Sequence, residues 1–410
     1  MNILIIGGSG EAPGANSVCV RNMAKQFVSL GHKVWILALG DKYSKESGNL
    51  EGAIIWQIPD SYYGKLTHRV SGHPTFISSI WFKIVSIIRH LILLPLYPET
   101  SPLRTLKVTK KAKSLVKEND ITEIITIYNN SANILTGIRL KRHFREKIHV
   151  VSYHLDLRTG SINSSSMVRN YIRRHALESI VDENRIVDKM LIPYSGMEEI
   201  KTVEGIDLHK VHFVGFPVFI EDDNTEKCTL PFDSDAINIS YVGTLSKDNR
   251  DPSYVISLLE DYTKKVGKKI CLHIWGKADG FEILIEKSPV AQYHGMIENK
   301  YVRHIMNSSD FLLNIGNAIA YNMLPSKVFS LFATGKPIIN IITHPLDATL
   351  PYFERYNNSI DIKEYDKSFD NEIVLFGGLN NAKKMPVKSI ESKFDDFKPE
   401  TICDLIIKKG

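Results

Sequence analysis

The sequence is poor in cysteine, and its four cysteines lie far apart. Cys19, Cys228, Cys271 and Cys403 form no C-x-x-C pair and have no histidine close enough to complete a zinc knuckle. This excludes a disulfide-stapled secreted scaffold and predicts a reducing, cytoplasmic environment. The start, MNILIIGGSG, has no basic region before its apolar run, so we expect no signal peptide.

Acidic residues are scarce in the first half of the chain. Counted to Gly215 there are 28 Lys and Arg against 19 Asp and Glu, and the remainder has 23 against 27, within totals of 51 and 46. The stretch Arg104–Lys117 carries six basic residues and no acid. This asymmetry indicates an anionic partner, namely membrane phospholipid, a lipid-linked pyrophosphate or nucleic acid, or else a solvated helix face.

An uninterrupted apolar run of membrane-spanning length is also missing. The most apolar stretch, Phe76–Tyr97, is nearly long enough to span a bilayer, but Lys83, Arg89 and His90 interrupt it. Two alternatives remain, a buried helical element or an amphipathic segment at the membrane interface. Because the basic stretch follows directly, we favour the interface and expect a peripheral protein at the inner face of the cell membrane.

Strand-like and helix-like segments alternate along the chain. Asn2–Ile6 and Lys33–Leu39 read as parallel strands joined by a helix over Ala15–Leu30, which is a βαβ unit. After the polar stretch Phe219–Asp235, a second series begins with the apolar strand Ile237–Val242. We predict an α/β protein of two Rossmann-like, doubly wound domains facing across a cleft. They cover residues 1–218 and 236–395, and a helix within 396–410 packs back on the first domain.

The most specific segment of the sequence runs from Asn322 to Asn340. A loop there leads into a predicted helix that begins beside Ser326, with Lys327 in its first turn. Free backbone N–H groups and a positive dipole end make a helix start suitable for a diphosphate.

This segment, LPSKVFSLFATGKPII, resembles the donor-binding segment of GT-B glycosyltransferases related to glycosyltransferase family 4. The strings ISYVGTLSKDNRDP and VAQYHGMIENKYVRHIMNSSDFLLN resemble other parts of that family's second domain, and MLIPYSGMEEI with GIDLHKVHFVGFP resembles part of its first. The resemblance implies transfer of a sugar from a nucleotide-diphosphate sugar without an essential metal or other cofactor. The favoured donor is a UDP-sugar, and the acceptor is a saccharide, with a lipid-linked one in bacterial surface polysaccharide synthesis preferred.

The resemblance and the charge chemistry together predict the donor site. Departure of the diphosphate leaves negative charge that cations must stabilise, and Arg250, Lys327 and Lys247 are suitable. We expect Arg250 and Lys327 to be catalytic. The other expected donor-binding residues are Gly243, Thr244, Gly276, Met296, Ile297, Asn322, Met323, Leu324, Ser326 and Ser330.

Several positions depart from the family pattern. Thr244 and Asn249 stand where many relatives have Arg and Lys. Asn322 and Ser330 stand where retaining relatives have two glutamates, so neither can offer a carboxylate to the ribose. These departures leave the stereochemical outcome, retention or inversion, open.

In the first domain, the string VSYHLDLRTG carries His154 and Asp156 at the end of a predicted strand. Either side chain could deprotonate an acceptor hydroxyl in an inverting reaction. In a retaining reaction the leaving phosphate could be the base, and His154 would orient the sugar. Asp156 capping a turn, with His154 in a structural hydrogen bond, is the alternative. Gly14 and Ala15 are expected to allow close backbone approach to the reacting sugar.

Other functions remain open. A nucleotide-sugar 2-epimerase would share this architecture and need no acceptor. A catalytically silent GT-B partner subunit would explain the lost carboxylates at Asn322 and Ser330. We do not expect a nucleic-acid partner, because the basic stretch has no interleaved aromatic residues.

Overall fold

The computed structural model describes residues 1–8, 15–39, 47–59, 76–128, 130–159, 166–218, 226–319, 321 and 324–408. The chain divides into two compact units. The first unit consists of Met1–Val218 together with Asp396–Gly410, and the second of Phe219–Asp395. Each is built on a mainly parallel sheet with helices between the strands, which confirms the predicted α/β class with two parallel sheets.

Strands and helices alternate through the first unit. In chain order the elements are β1 (Asn2–Ile6), α1 (Ala15–Ser29), β2 (Lys33–Leu39), β3 (Ser47–Leu50), β4 (Ala53–Ile58), α2 (Phe76–Leu93), α3 (Pro102–Glu118), β5 (Glu123–Tyr128), α4 (Ser131–Phe144), β6 (His149–His154), α5 (Ser166–Ile186), β7 (Lys189–Pro193), α6 (Met197–Lys201) and β8 (Val211–Val214). The strand order is β3-β4-β2-β1-β5-β6-β7-β8.

The central strands of this sheet are rich in β-branched residues and buried on both faces, as parallel strands covered by helices must be. One strand departs from the predicted parallel arrangement. β3 pairs antiparallel with β4 at the sheet edge, with Leu50 opposite Ala53. Its sequence, SGNL, is too short and polar to read as a strand, and the tight turn at Gly52 brings it against β4.

The second unit has the same alternation. Its elements are β9 (Ile237–Val242), α7 (Ser253–Val266), β10 (Ile270–Trp275), α8 (Glu282–Lys287), β11 (Ala291–Gly295), α9 (Asn299–Ser308), β12 (Phe311–Ile315), α10 (Lys327–Phe332), β13 (Ile338–Ile342), α11 (Leu350–Tyr356), β14 (Ser359–Lys363), α12 (Asn371–Asn381) and α13 (Val387–Glu391). The strands are all parallel and lie in the order β11-β10-β9-β12-β13-β14.

This is the Rossmann strand order, which reverses direction between β9 and β12. The pairing between β9 and β12 is short. It joins Ile239 to Phe311 and Ser240 to Leu312, and it does not reach the carboxyl ends of the two strands. The two strand ends therefore diverge and open a crevice at the carboxyl edge of the sheet. In open α/β sheets, ligands bind at such a reversal.

The two faces of the second sheet differ in polarity. One face is aliphatic and packs on α7 and α12. The other carries buried polar side chains that bond across strands: Asn314 Nδ2 donates to Asn340 Oδ1 at 2.9 Å, and Asn340 Nδ2 donates to Asp361 Oδ1 at 3.0 Å. Because each buried amide has a partner, this ladder fixes the register of β12, β13 and β14 without a desolvation penalty.

The C-terminal helix α14 (Pro399–Ile407) packs on α1 of the first unit. Cys403 Sγ lies 3.8 Å from the Met23 carbonyl oxygen, and both residues are buried. Lys189 Nζ, at the start of β7, donates to the carbonyl oxygens of Leu405 at 2.5 Å and Lys408 at 2.7 Å. A lysine thus caps the last turn of α14 and ties it to the sheet.

Helix α2 presents apolar side chains to solvent. The exposed residues recur at helical spacing along one side: Ile80, Trp81, Ile84, Ile87, Ile88, Leu91 and Ile92. This surface, called the α2 face below, contradicts the alternative in which Phe76–Tyr97 is a buried element. Within the described ranges, no helix combines the length and apolar character that crossing a bilayer requires.

Removal of side-chain volume under α14 should destabilise the first unit. Ile406 is fully buried, and Ile406→Ala should lower the free energy of unfolding by about 2–5 kcal/mol. Ile92 is 65% exposed in the same unit, so Ile92→Ala should change that free energy by less than about 0.5 kcal/mol. Urea unfolding followed by circular dichroism measures both. Equal effects would show that α14 is not part of the folded core.

Candidate active site

Three neighbouring strands of the second sheet end at glycines. Gly243 follows β9, Gly276 follows β10 and Gly295 closes β11. Gly243 N donates to the Trp275 carbonyl at 2.9 Å, and Gly276 N donates to the Gly295 carbonyl at 2.7 Å. At Gly276, where φ is +122°, an added Cβ would lie 2.0 Å from the Gly243 carbonyl oxygen. Only glycine fits there. The strand ends at Gly243, Gly276 and Gly295, called the backbone edge below, have no side chains, so a ligand can approach them closely.

Arg250 returns to this edge through a tight turn. Ser246 and Arg250 exchange backbone hydrogen bonds of 3.2 and 2.8 Å, which folds the loop after β9 back on itself. Arg250 Nε then donates to Asn317 Oδ1 at 2.9 Å, from the turn after β12. Arg250 therefore lies at the divergence of β9 and β12, where the topology places a ligand.

Lys327 lies beside Gly243, the glycine that follows β9. Its Nζ is 3.3 Å from the position that a Cβ on Gly243 would take, and 4.8 Å from the centroid of the Tyr241 ring. Burial, with the positive charge of Arg250 nearby, lowers the pKa of Lys327 from 10.5 to about 7. Within the described part of the chain, neither Lys327 nor Arg250 forms an ion pair with a carboxylate.

Tyr241 lies next to both cations: Lys327 is near its ring, and Arg250 acts on its hydroxyl. Its hydroxyl donates to the Thr244 carbonyl at 3.0 Å. Burial raises the pKa of Tyr241 to about 12, although Arg250 acts in the opposite direction. The phenol therefore stays neutral and offers its ring to Lys327, so it does not cancel the positive charge of the site.

One of the residues that depart from the family pattern, Asn249, has structural partners. Asn249 stands where many members of the resembled family have a lysine. Its Oδ1 accepts from Ile319 N at 3.2 Å, and its Nδ2 donates to Asn317 Oδ1 at 3.2 Å. Asn317 thus holds both Asn249 and Arg250. Asn317 was not predicted from the sequence as a site residue, although its place in a polar turn directly after a buried strand was a usable signal. Thr244 is exposed beside Gly243.

The structure does not bring every predicted cation to this cluster. The Lys247 side chain is exposed and lies against Gly280, with Nζ 3.6 Å from where a Cβ on that glycine would be. Of the three cations expected to hold the diphosphate, two lie together and Lys247 lies apart.

The helix in the predicted donor segment is short. α10 has six residues, and Ser326 before it has helical φ and ψ of −58° and −27° with no side-chain cap. A helix of this length contributes a weak dipole, so the two cations carry more of the expected charge stabilisation. Ser330 is half-buried, and its carbonyl accepts from Arg303 Nη1 at 3.3 Å. Leu324 is half-buried, while Asn322 and Met323 lie outside the described residues.

The expected base-binding residues follow β11. Gly295 has φ of +72°, and the Met296 side chain after it is 70% exposed, with Ile297 half-buried. Trp275, at the end of β10, is buried, and its ring stacks on that of His294 with 4.2 Å between the ring centroids. Burial and the adjacent His294 lower the pKa of His273 to about 4.

In the first unit, His154 is fully buried rather than open to a ligand. Its Nε2 lies 2.7 Å from Glu183 Oε1, and Arg158 donates to the other Glu183 oxygen. Burial alone would raise the pKa of Glu183, but His154 and Arg158 lower it to about 2. His154 belongs to a neutralised buried cluster that positions the end of β6.

Asp156 is exposed, and incomplete hydration raises the pKa of its carboxyl. Of the two residues predicted as a base, Asp156 is the one that solvent reaches. Gly14 lies outside the described residues. Ala15 begins α1, and its side chain lies outside them as well.

Comparison with solved structures gives full-length matches. Sucrose-phosphate synthase from Thermosynechococcus elongatus matches with a TM-score of 0.63 and 13% identity, over 99% of this chain and 97% of that one. A glycosyltransferase from Rickettsia africae matches with a TM-score of 0.59 and 12% identity, over 100% and 99%. The chain has the GT-B fold of glycosyltransferases.

A third GT-B match is a structure of Anabaena HepE in complex with UDP and glucose, with a TM-score of 0.54 and 11% identity, over 100% of this chain and 96% of that one. At these identities the likeness establishes the fold and not the activity. No protein-family model matches the sequence, and no curated protein matches it. The specific relation to glycosyltransferase family 4 stays a prediction.

Substitution of Gly276 should disrupt the backbone edge. Gly276→Ala forces a Cβ into the Gly243 carbonyl and should lower the free energy of unfolding by more than about 3 kcal/mol. Gly267 also has positive φ, +74°, but nothing lies within 4 Å of its Cβ position. Gly267→Ala should therefore cost about 1–2 kcal/mol. Urea denaturation compares them, and equal losses would mean that the close approach is absent.

The pKa of Lys327 should make stability depend on pH. Between pH 7 and pH 10.5 the unfolded chain keeps this proton and the folded chain loses it, so stability should rise with pH through that window. Below pH 7 both states are protonated and the contribution is constant. Lys327→Met should lack the rise.

The measurement is urea unfolding at about pH 6 and about pH 9, comparing each variant with the unmodified protein. Lys264→Met is the control, because Lys264 is 68% exposed on α7. A Lys327→Met variant with an unchanged pH profile would show that the ammonium is hydrated.

Proposed function

We propose that this protein is a metal-independent glycosyltransferase that moves a sugar from a nucleotide-diphosphate sugar to a saccharide acceptor. The observation that carries the proposal is the pair Arg250 and Lys327 at the divergence of β9 and β12, with no ion-paired carboxylate among the described residues. A diphosphate would supply the missing negative charge. As the glycosidic bond to the leaving diphosphate breaks, these preorganised cations would stabilise the charge that develops on it.

The backbone edge suits the rest of the donor. Gly243 and Gly276 have no side chains, which lets the diphosphate approach this backbone closely. Their own N–H groups already donate to the carbonyls of Trp275 and Gly295, so the charge stabilisation is assigned to Arg250 and Lys327. Gly295, Met296 and Ile297 would bind the nucleobase by backbone contacts. We favour a UDP-sugar as the donor, because a protein of the same fold, HepE, has been solved with UDP and glucose.

In the first unit, we assign the acceptor side of the reaction to the carboxyl ends of β5 and β6. Asp156 is the proposed base for an inverting reaction, since its carboxyl is exposed and a raised pKa makes it a stronger base than an ordinary carboxylate. His154 would act through Glu183 as a positioning residue. An activity that requires the Asp156 carboxylate as base would indicate inversion at the anomeric carbon, and an activity that does not require it would indicate retention.

The surface of the first unit supports a lipid-linked acceptor, as used in bacterial surface polysaccharide synthesis, and a cytoplasmic protein bound to the membrane surface. The α2 face is continued by exposed Leu96, Leu103 and Leu106, and α3 carries exposed Lys107, Lys110 and Lys117. An apolar face beside a basic one matches a bilayer interface with anionic lipid.

The donor site is tested by nucleotide binding. Arg250→Ala and Lys327→Ala should each weaken UDP binding about 10–100-fold, because each removes a charge-assisted contact to phosphate. Lys264→Ala, at the exposed surface of α7, should leave binding unchanged. Isothermal titration measures the affinities, and a thermal-shift series with UDP, GDP and dTDP identifies the base.

The outcomes separate the rival functions. A catalytically silent partner subunit would bind no nucleotide. A 2-epimerase would bind one and convert the free nucleotide sugar without an acceptor. Full-affinity binding by both Arg250→Ala and Lys327→Ala would refute the site.

A further inference from the structure

A buried aspartate lies against the carboxyl end of β12 in the second unit. Asp347, in the loop after β13, is 5% exposed. Its Oδ2 lies 2.6 Å from the position that a Cβ on Gly316 would take, so the absence of a side chain at Gly316 leaves room for the carboxylate. Gly316 follows β12 directly, and its N donates to the Ile341 carbonyl at 2.9 Å. Asp347 therefore lies where β12 and β13 end, at the carboxyl edge of the sheet.

The two oxygens of this carboxylate differ in their partners. Oδ1 accepts from Thr349 N and from Thr349 Oγ1, both at 2.8 Å, in the turn that starts α11. Among the described residues, Oδ2 accepts no hydrogen bond, and no Lys or Arg forms an ion pair with Asp347. Burial raises the pKa of Asp347, although the Thr349 bonds and the charge of His344 act in the opposite direction. Oδ2 is thus available to a donor that a ligand brings.

A second polar atom faces the same glycine. Thr343 Oγ1 lies 3.2 Å from the Cβ position of Gly316, and it is buried without a hydrogen-bond partner in the described part of the chain. Buried hydroxyls nearly always have a partner, so an orphaned one beside a half-used carboxylate requires an explanation. Together the two side chains offer an acceptor and a donor, which is what the hydroxyl groups of a ligand require.

The loop after β13 is attached to the predicted donor segment. Ala348 N donates to the Tyr321 carbonyl at 2.8 Å, and the rings of Tyr321 and His344 stack with 3.6 Å between their centroids. Tyr321 directly precedes Asn322, where retaining members of the resembled family have a glutamate and this chain has none. Asp347 thus brings a carboxylate to the part of the second unit where that glutamate is missing.

The order of the strands indicates which part of a ligand would reach this carboxylate. The proposed nucleobase contacts follow β11, and the proposed diphosphate cations, Arg250 and Lys327, lie where β9 and β12 diverge. The sugar is attached to the opposite end of the diphosphate from the nucleoside, so along the order β11-β10-β9-β12-β13 it is expected towards β12 and β13. Gly316, against which Asp347 packs, directly precedes Asn317, the residue that holds Arg250. Asp347 is therefore placed on the sugar side of the diphosphate cations.

We propose that Asp347 is a specificity-determining residue that accepts hydrogen bonds from hydroxyl groups of the donor sugar, with Thr343 Oγ1 donating to one of them. The inference rests on the proposed function, because it requires the diphosphate of a nucleotide sugar to bind at Arg250 and Lys327. A site built to bond sugar hydroxyls discriminates against a donor that lacks them, since its polar groups are then left unpaired. Asp347 selects the sugar and does not stabilise the leaving diphosphate, because both are negatively charged.

The test is isothermal titration of the full chain with UDP-glucose and with UDP. Asp347→Asn keeps the size of the side chain and an oxygen for the Thr349 bonds, but it removes the charged acceptor. UDP-glucose should bind to Asp347→Asn about 10–100-fold more weakly than to the unmodified protein. UDP has no donor sugar and is repelled by a nearby carboxylate, so its affinity should stay unchanged or rise. If the thermal-shift series selects GDP or dTDP, that diphosphate and its glucose derivative replace UDP and UDP-glucose.

Asp366→Asn is the matched control. The Asp366 Oδ1 accepts from Ser368 N at 3.0 Å and from Ser368 Oγ at 2.6 Å, which are the same two contacts that Asp347 makes with Thr349, but in an exposed turn after β14. This variant should change neither affinity, because it removes an equivalent charge outside the proposed sugar site.

Thr343→Val removes the orphaned hydroxyl and leaves a side chain of similar volume. It should weaken UDP-glucose binding by about two- to tenfold, less than Asp347→Asn does, and leave UDP binding unchanged. Because this hydroxyl has no partner in the described part of the unliganded chain, its removal should not lower the free energy of unfolding measured in urea.

The two ligands separate the possible roles of Asp347. A loss confined to UDP-glucose supports the proposal. Equal losses for UDP and UDP-glucose would mean that Asp347 only maintains the fold, and unchanged or improved affinity for both would mean that it forms no bond to the sugar. Either result overturns the inference and leaves the proposed donor site standing, because UDP still binds the unmodified protein. Absence of nucleotide binding by the unmodified protein would refute the proposed function, and this inference with it.

Discussion

Two positive charges held against a backbone edge are the constraint on which the second unit depends. Burying a cation is costly unless an opposite charge accompanies it. At Lys327 the cost is visible as a pKa near 7, and no carboxylate among the described residues relieves it. The surrounding structure maintains the arrangement: the turn at Ser246 returns Arg250 to the sheet, Asn317 orients it, and Tyr241 lies under Lys327. A site kept electrostatically incomplete in this way is suited to an anionic ligand.

In the first unit, by contrast, the buried charged groups are paired with one another. Glu183 lies between His154 and Arg158, so the cluster is neutralised internally and its carboxylate is held ionised. Such a cluster positions the surrounding backbone and does not attract a charged ligand, because its charges are already paired. The contrast separates positioning groups from binding groups. In the first unit, Asp156 lies just beyond β6 and is open to solvent, and it is where we place the acceptor chemistry.

The GT-B fold explains why the site residues come from distant parts of the second unit. Arg250 follows β9, Asn317 follows β12 and Lys327 begins α10, yet all three converge where the strand order reverses. The glycines at the strand ends serve the same crevice, since a side chain at Gly276 would collide with the Gly243 carbonyl. The outer surface of α2 is different, because it exposes a row of apolar side chains. Contiguous exposed apolar area of this kind is typical of an interaction surface.

The sequence alone determined the α/β class, the strands β1, β2 and β9 to the residue, and the segments that carry glycine and cations, because apolar runs and strand-end glycines are local signals. It did not determine which cations meet. Lys247 and Arg250 are three residues apart, but the Ser246 turn sends one to Gly280 and the other to Asn317. It also left two alternatives open: His154 could face a ligand or form a structural hydrogen bond, and Phe76–Tyr97 could be buried or lie at an interface, of which we favoured the interface. Those outcomes depend on contacts between residues far apart in the chain, which only the tertiary structure specifies.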